Sequence, residues 1–152
     1  MTTWTCRLVD ADSRATDIGT VDPALDAFIV ALHAEPLPEG VLSWAHPAGS
    51  GARGKASQKA NLANKTSKAD WGESPHNYGL AVDSYPIVLD GNGKKVVSSD
   101  PKHYALLGVI ARRLALGWGG AWAKFPDAPH VEIPGWKTVV QTALGAGWPR
   151  KA

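Results

Sequence analysis

Two short stretches hold the residues best suited to chemistry: Ser74-Pro-His76-Asn-Tyr-Gly79-Leu-Ala81-Val-Asp83 and Asp127-Ala-Pro-His130-Val-Glu132. If Gly79 turns the chain into a strand, Gly79, Ala81 and Asp83 share one face and Leu80 and Val82 the other. Leucine and valine suit a core. The opposite face then carries a carboxylate between residues with almost no side chain, and His76 can fold over into that space. A histidine and an aspartate converging on an open space suit a divalent metal. Taken alone, a histidine hydrogen-bonded to a carboxylate for structural reasons explains the segment equally well.

The second stretch adds His130, which completes a set of His76, Asp83 and His130 and leaves the fourth position of a zinc ion to water. Zinc lowers the pKa of such a water toward ~7, and a carboxylate off the metal is then needed to carry the proton. Asp127 and Glu132 are both candidates. Asp127 lies three residues before His130, so a regular strand would point them to opposite faces. Pro126 and Pro129 make a turn there the better reading. Strand parity alone favours Glu132, whose other role is to orient a metal ligand by a hydrogen bond.

Stepping outward along the chain, the elements that must hold these residues are mixed. Trp4, Cys6 and Leu8 alternate with polar residues and predict a short strand. Asp22-Pro23 opens a helix with Leu25, Phe28, Ile29 and Leu32 inward, closed by Pro36 and Pro38. Residues 55–68 form a second, more polar helix. Leu80 to Leu89 reads as strand, and Asp90-Gly-Asn-Gly93 turns a hairpin back through Val96 and Val97. Asp100-Pro101 opens a helix that carries Leu107, Ile110 and Leu114 on one face and ends at Gly117. A strand over 130–133 precedes a C-terminal helix with Trp136, Val139, Val140 and Ala143 inward. No β-α-β alternation appears, so the class is α+β: one domain over 1–152, a central mostly antiparallel sheet flanked by helices.

Composition narrows the function. The chain has 152 residues, 44% apolar and 20% charged, which excludes wholesale disorder. Its one cysteine, Cys6, excludes an internal disulfide and a cysteine-built zinc site. The longest apolar run, Ala27 to Leu32, falls far short of the ~20 residues of a membrane helix, and no signal peptide is evident. The expectation is a soluble protein without stable membrane insertion, made in a reducing compartment.

Net charge is +2, too small to argue for nucleic acid. It is unevenly spread: residues 49–68 carry Arg53, Lys55, Lys59, Lys65 and Lys68 and no acid. That stretch is either a solvated helix face or a surface that meets an anion. Gly49-Ser-Gly-Ala-Arg-Gly54-Lys55 copies most of a phosphate loop, but Ala56 replaces the hydroxyl residue that would hold magnesium. No GxSxG elbow is present for a serine hydrolase. Cys6 reads as a strand residue, not a nucleophile.

The pattern SxHxxGxAxD followed by carboxylate-x-x-His resembles the zinc peptidases that cut D-amino-acid bonds in peptidoglycan. That family takes in D-alanyl-D-alanine carboxypeptidases, L-alanyl-D-glutamate peptidases of phage endolysins, and the Hedgehog/DD-peptidase fold. Ser74, His76, Gly79, Ala81 and Asp83 match the first motif, and Asp127 and His130 the second, with aspartate where the dipeptidases commonly have glutamate. Gly119-Gly-Ala-Trp122 leading to Phe125-Pro-Asp127-Ala-Pro-His130 is most similar to the endolysin branch. Gly51-Ala-Arg53 with Gln58 resembles the family's Arg…Gln motif. The likeness covers about residues 50–136; residues 1–48 match only in outline.

The resemblance implies Zn2+ held by His76, Asp83 and His130, Asp127 as general base and then general acid, and Arg53 stabilising the oxyanion. It implies a phage endolysin, monomeric and without a separate wall-binding domain, that cuts the L-alanyl-D-glutamate bond of the peptidoglycan stem peptide. Such a protein accumulates in the host cytoplasm and reaches the wall once the membrane is permeabilised. A D-alanyl-D-alanine carboxypeptidase or cross-link endopeptidase is the nearest alternative, and a non-catalytic zinc-containing wall-binding domain the alternative of another class. Trp118 and Trp122 either line a glycopeptide groove or fill the core. His33, His46 and His103 have no pattern that assigns them.

Overall fold

The structure is a computed structural model that describes residues 4–14 and 18–149. Its elements run α1 (Pro23–Ala34), β1 (Ser43–Ala45), α2 (Lys55–Ala63), β2 (Ala81–Asp83), β3 (Tyr85–Leu89), β4 (Lys95–Val97), α3 (Pro101–Arg113), β5 (Gly117–Trp118), β6 (His130–Glu132) and α4 (Trp136–Leu144), with 3-10 turns at Pro75–Tyr78 and Gly119–Ala121. The α+β class and the antiparallel pairing hold. The strands divide, however, into two three-stranded sheets, ordered β1-β3-β4 and β2-β6-β5.

The division falls at Ser84. The stretch expected as one strand is two, β2 and β3, and the chain steps from one sheet to the other between Asp83 and Tyr85. Ser84 donates its amide to the Pro129 carbonyl at 3.0 Å, so even the joint is hydrogen-bonded. The β3–β4 hairpin pairs Ile87 with Val97 and turns on Asp90, whose side chain accepts from the Asn92 and Lys94 amides.

Helices α1 and α3 form as their caps predict. Asp22 accepts from the Ala24 amide at 2.9 Å and Asp100 from Lys102 at 3.0 Å, each cap worth about 1 kcal/mol. Leu25, Phe28 and Leu32 of α1 meet Tyr104, Leu107, Ile110 and Ala111 of α3 in the main core, with Val82 and Val131 from the second sheet. Leu114 is not part of that face. Helix α3 stops at Arg113, Ala115 takes the left-handed conformation (φ 58°), and Gly117 begins β5 instead of ending the helix. Helix α2 ends at Ala63, short of residue 68, and buries only Gln58. In α4, Trp136 and Val140 are buried, while Ala143 is exposed.

Residues 4–10 are not a strand. They run extended over a second core of Tyr78, Leu80, Trp136 and Val140, where Trp4, Cys6 and Leu8 pack. The alternation reflects that packing, without a ladder partner. This N-terminal strap ties down what lies beneath it: Val9 N–H donates to Asn77 O at 2.7 Å, Ser13 N–H to Ala52 O at 2.7 Å, and Trp71 Nε1 to Val9 O at 2.9 Å.

Candidate active site

Local sequence sets each wall of the site. Ser74 caps the 3-10 turn that carries His76, and Asn77 closes a reciprocal capping box. Gly79 then takes φ 69°, and a Cβ there would lie 2.8 Å from the Thr20 carbonyl oxygen, so only glycine fits. The turn delivers the chain into β2, whose last residue, Asp83, pairs directly with His130, the first of β6. Cross-strand partners have Cβ atoms about 4.5–5.5 Å apart, so the register itself sets two of the side chains together.

The structure brings His76, Asp83 and His130 to one point. One ligand atom from each lies within 4.8 Å of the others, and all three side chains are buried. Asp83 Oδ1 sits 3.3 Å from His76 Nε2 and 3.2 Å from His130 Nδ1, while Oδ2 receives Arg53 Nη2 at 3.2 Å. His76 Nδ1 contacts the Gly51 carbonyl oxygen at 2.9 Å. A carbonyl only accepts, so Nδ1 carries the proton and the neutral ring turns its Nε2 lone pair toward a carboxylate oxygen. Two acceptors facing each other repel unless a cation lies between them. Burial lowers the His76 pKa, which disfavours a proton as that cation. This donor set fits a divalent metal of the zinc kind.

His130 meets the same requirement differently. Its Nε2 lies 2.7 Å from Glu132 Oε1, and its Nδ1 faces Asp83. Burial works against charging the ring, but hydrogen bonds to Asp83 and Glu132 prevail and raise its pKa to about 10. Nδ1 is the atom a metal would use, with Glu132 fixing the ring from behind as carboxylates do for metal-bound histidines. Burial also opposes ionisation of Asp83, yet His76 and His130 hold its carboxyl well below the usual range.

Asp127 arrives by the turn that its flanking prolines predict. Its amide donates to Gly119 O at 2.9 Å and its carbonyl accepts from the His130 amide at 3.1 Å. Its Oδ2 lies 3.8 Å from His130 Nδ1, on the metal side of the ring, whereas Glu132 lies on the other. Burial, then the Asp83 charge, raises the Asp127 pKa. Arg53 is fixed by Gly49 O, Gln58 Oε1 and Asp83 Oδ2, and still has N–H groups to spare.

These residues line one side of a cleft of about 630 Å³. Tyr85 and Trp122 line it too, the latter with its ring centroid 5.2 Å from that of His130. Trp118 instead packs against the main core and donates to Ala128 O at 2.7 Å. Tyr85 went unpredicted because a tyrosine in a strand reads as a sheet former; burial raises its pKa, so it remains a phenol. A hollow of about 670 Å³ runs under the N-terminal strap, but none of the clustered residues borders it.

The phosphate-loop likeness is excluded physically. Every amide from Gly49 to Gly54 is spent within the protein, on Ser13, Pro47, Ile18, His76 and Asp12, so none is free to cradle a phosphate.

Comparison with known proteins agrees with this geometry. The family described as D-alanyl-D-alanine carboxypeptidase matches residues 66–133, which contain His76, Asp83, Asp127 and His130. Over residues 66–133 the chain is similar to this peptidase family. The peptidoglycan L-alanyl-D-glutamate endopeptidase CwlK of Bacillus subtilis (strain 168) is 37% identical over 78 residues. That match covers 46% of this chain and 45% of CwlK, so the chain spans less than half of that relative. The crystal structure of the L-Ala D-Glu endopeptidase ChiX of Serratia marcescens is similar with a TM-score of 0.55 and 29% identity, over 76% of this chain and 82% of that one. Arg53 and Gln58 lie upstream of the family segment.

Proposed function

We propose that this protein is a zinc peptidase of peptidoglycan, cutting the L-alanyl-D-glutamate bond of the stem peptide. The observation that carries the reading is the buried His76–Asp83–His130 cluster with Asp127 beside it, open to a cleft. The printed activities of CwlK and ChiX support the choice of bond.

His76 Nε2, Asp83 Oδ1 and His130 Nδ1 are the atoms that would hold zinc. When bound, zinc supplies Lewis acidity that polarises a carbonyl and lowers the pKa of water. Asp127 takes a proton from the attacking water on its carboxylate and returns it to the departing amine; its raised pKa suits both halves of that exchange. Arg53, held in place by Gln58 and Gly49, offers its remaining N–H groups to the oxygen on which charge develops. Tyr85 provides a neutral hydroxyl at the cleft wall. Glu132 acts only through His130.

On the Gly119–His130 phrase we place the protein in the phage-lysis branch, acting on the wall after the membrane is breached. Mass spectrometry of fragments released from purified peptidoglycan tests the bond: new N-terminal D-glutamate is expected, and release of D-alanine alone would move the assignment to a carboxypeptidase. Elemental analysis should find about one zinc per chain. Cells expressing the protein should lyse on permeabilisation and not before it.

A further inference from the structure

The basic stretch of residues 49–68 resolves into cations with different fates. Arg53 is committed to Asp83. Lys59 pairs with Asp70 at 3.0 Å, and Lys55 lies over the Trp71 ring, 5.4 Å from its centroid. Lys65 and Lys68 have no carboxylate partner among the described residues, and both line the cleft. The cleft lining holds Asp83, Asp127, Glu132 and the paired Arg53 at the metal cluster, Lys65 and Lys68 on the loop after α2, and Glu73, whose Oε1 accepts from the Asp70 amide.

That loop is held against the opposite rim. Lys68 Nζ lies 3.1 Å from the centroid of the Phe125 ring, and Phe125, 69% exposed, sits at φ 52°, a conformation rare for a bulky residue. Lys65, at φ 59°, is the left-handed residue that ends α2. Strained residues persist where the surroundings or a function require them. Phe125 lies on the loop that carries Asp127, so the basic loop and the loop of the proton carrier meet across the cleft.

We infer that Lys65 and Lys68 bind a carboxylate of the substrate and so determine specificity for an acidic residue beside the scissile bond. This rests on the peptidase reading and sharpens it. A glutamate joined to the rest of a stem peptide through one carboxyl group keeps the other as an anion, unless it is amidated. The acid form then meets the lysines with an opposite charge; the carboxamide form offers them none.

The competing role for both lysines is local: cations after the C-terminus of α2 favour its dipole. The test separates the two. Matched stem peptides carrying D-glutamate or its carboxamide are given to the zinc-loaded protein, and KM and kcat are measured. Wild type should favour the acid by about tenfold, mostly in KM, as a charge-assisted contact in a partly exposed cleft would give. Lys65→Gln/Lys68→Gln should bring the ratio close to one, and Lys68→Arg on the Lys65→Gln background should restore most of it. Calorimetric binding of both peptides to zinc-loaded Asp127→Asn protein reads the same ratio without turnover. Equal use of acid and amide by wild type, or a preference that survives the double glutamine variant, overturns the inference. So does a loss of thermal stability with the ratio intact. Absent hydrolysis with an intact binding ratio overturns the peptidase reading instead and leaves the carboxylate site standing.

Discussion

The two sides of the cleft are built on opposite terms. His76, Asp83 and His130 are 3%, 5% and 5% exposed and are fixed by a capped turn, a strand register and a carbonyl contact. Asp127, 3.8 Å from one of them, has a side chain 49% exposed and stands on a proline-flanked loop. The difference matches the two tasks proposed for them. A metal site gains affinity from ligands that cannot move, whereas a proton carrier must meet water and a leaving group in turn.

Removing the buried side should do the most harm. His76→Ala should lose stoichiometric zinc and all measurable turnover, read by elemental analysis beside a peptidoglycan assay. Asp127→Asn should keep zinc and melting temperature but lose about 10²–10⁴-fold in kcat. A zinc-free Asp127→Asn protein would erase the division between the two sides. Glu132→Gln tests the buried side from behind: a drop of about 10–100-fold in zinc affinity is expected, with turnover largely recovered at saturating zinc. A dead, zinc-loaded Glu132→Gln protein beside an active Asp127→Asn protein would exchange the two carboxylates' roles. The smallest effect is expected at Gly119, where an added Cβ would lie 2.4 Å from the Asp127 carbonyl oxygen. It would also lie 3.1 Å from His130 Cβ, so Gly119→Ala should displace the Asp127 loop first and press lightly on His130, lowering kcat by about tenfold with most of the zinc retained.

The same contrast explains what could be read from sequence. Ser74, His76, Gly79 and Asp83 lie within one turn and one strand, so spacing alone places them together. Asp127 and His130 needed only the prolines between and beside them. Arg53 and Asp83 are thirty positions apart, and no local pattern joins them; the Arg…Gln resemblance pointed to the arginine without saying what it touches. The break at Ser84 does carry a local signal, Asp83-Ser84 followed by Pro86, but the apolar residues on both sides make the stretch read as one strand. The N-terminal alternation was misread since period-two burial also arises in an extended strap. Gly117 looked like a helix stop, yet Ala115 makes the left-handed turn that glycine usually supplies.

The strap also bears on how this domain can be cut and recombined. Residues 9–13 lie far upstream of the recognisable family segment, yet they hold its neighbours: Asp12 accepts from the Gly54 amide at 2.7 Å, and Ser13 from Gly49 and Gly51. At Gly51 and Gly54 a Cβ would come within 2.0 and 2.2 Å of the Ile18 and Asp10 carbonyl oxygens, so the loop bearing Arg53 is sandwiched without slack. The segment that carries the family likeness is thus smaller than the packed unit that holds the site. A chimera that grafts residues 66–133 alone would carry His76, Asp83, Asp127 and His130 but neither Arg53 nor the strap residues that hold its loop, whereas a junction placed before Trp4 would carry them together.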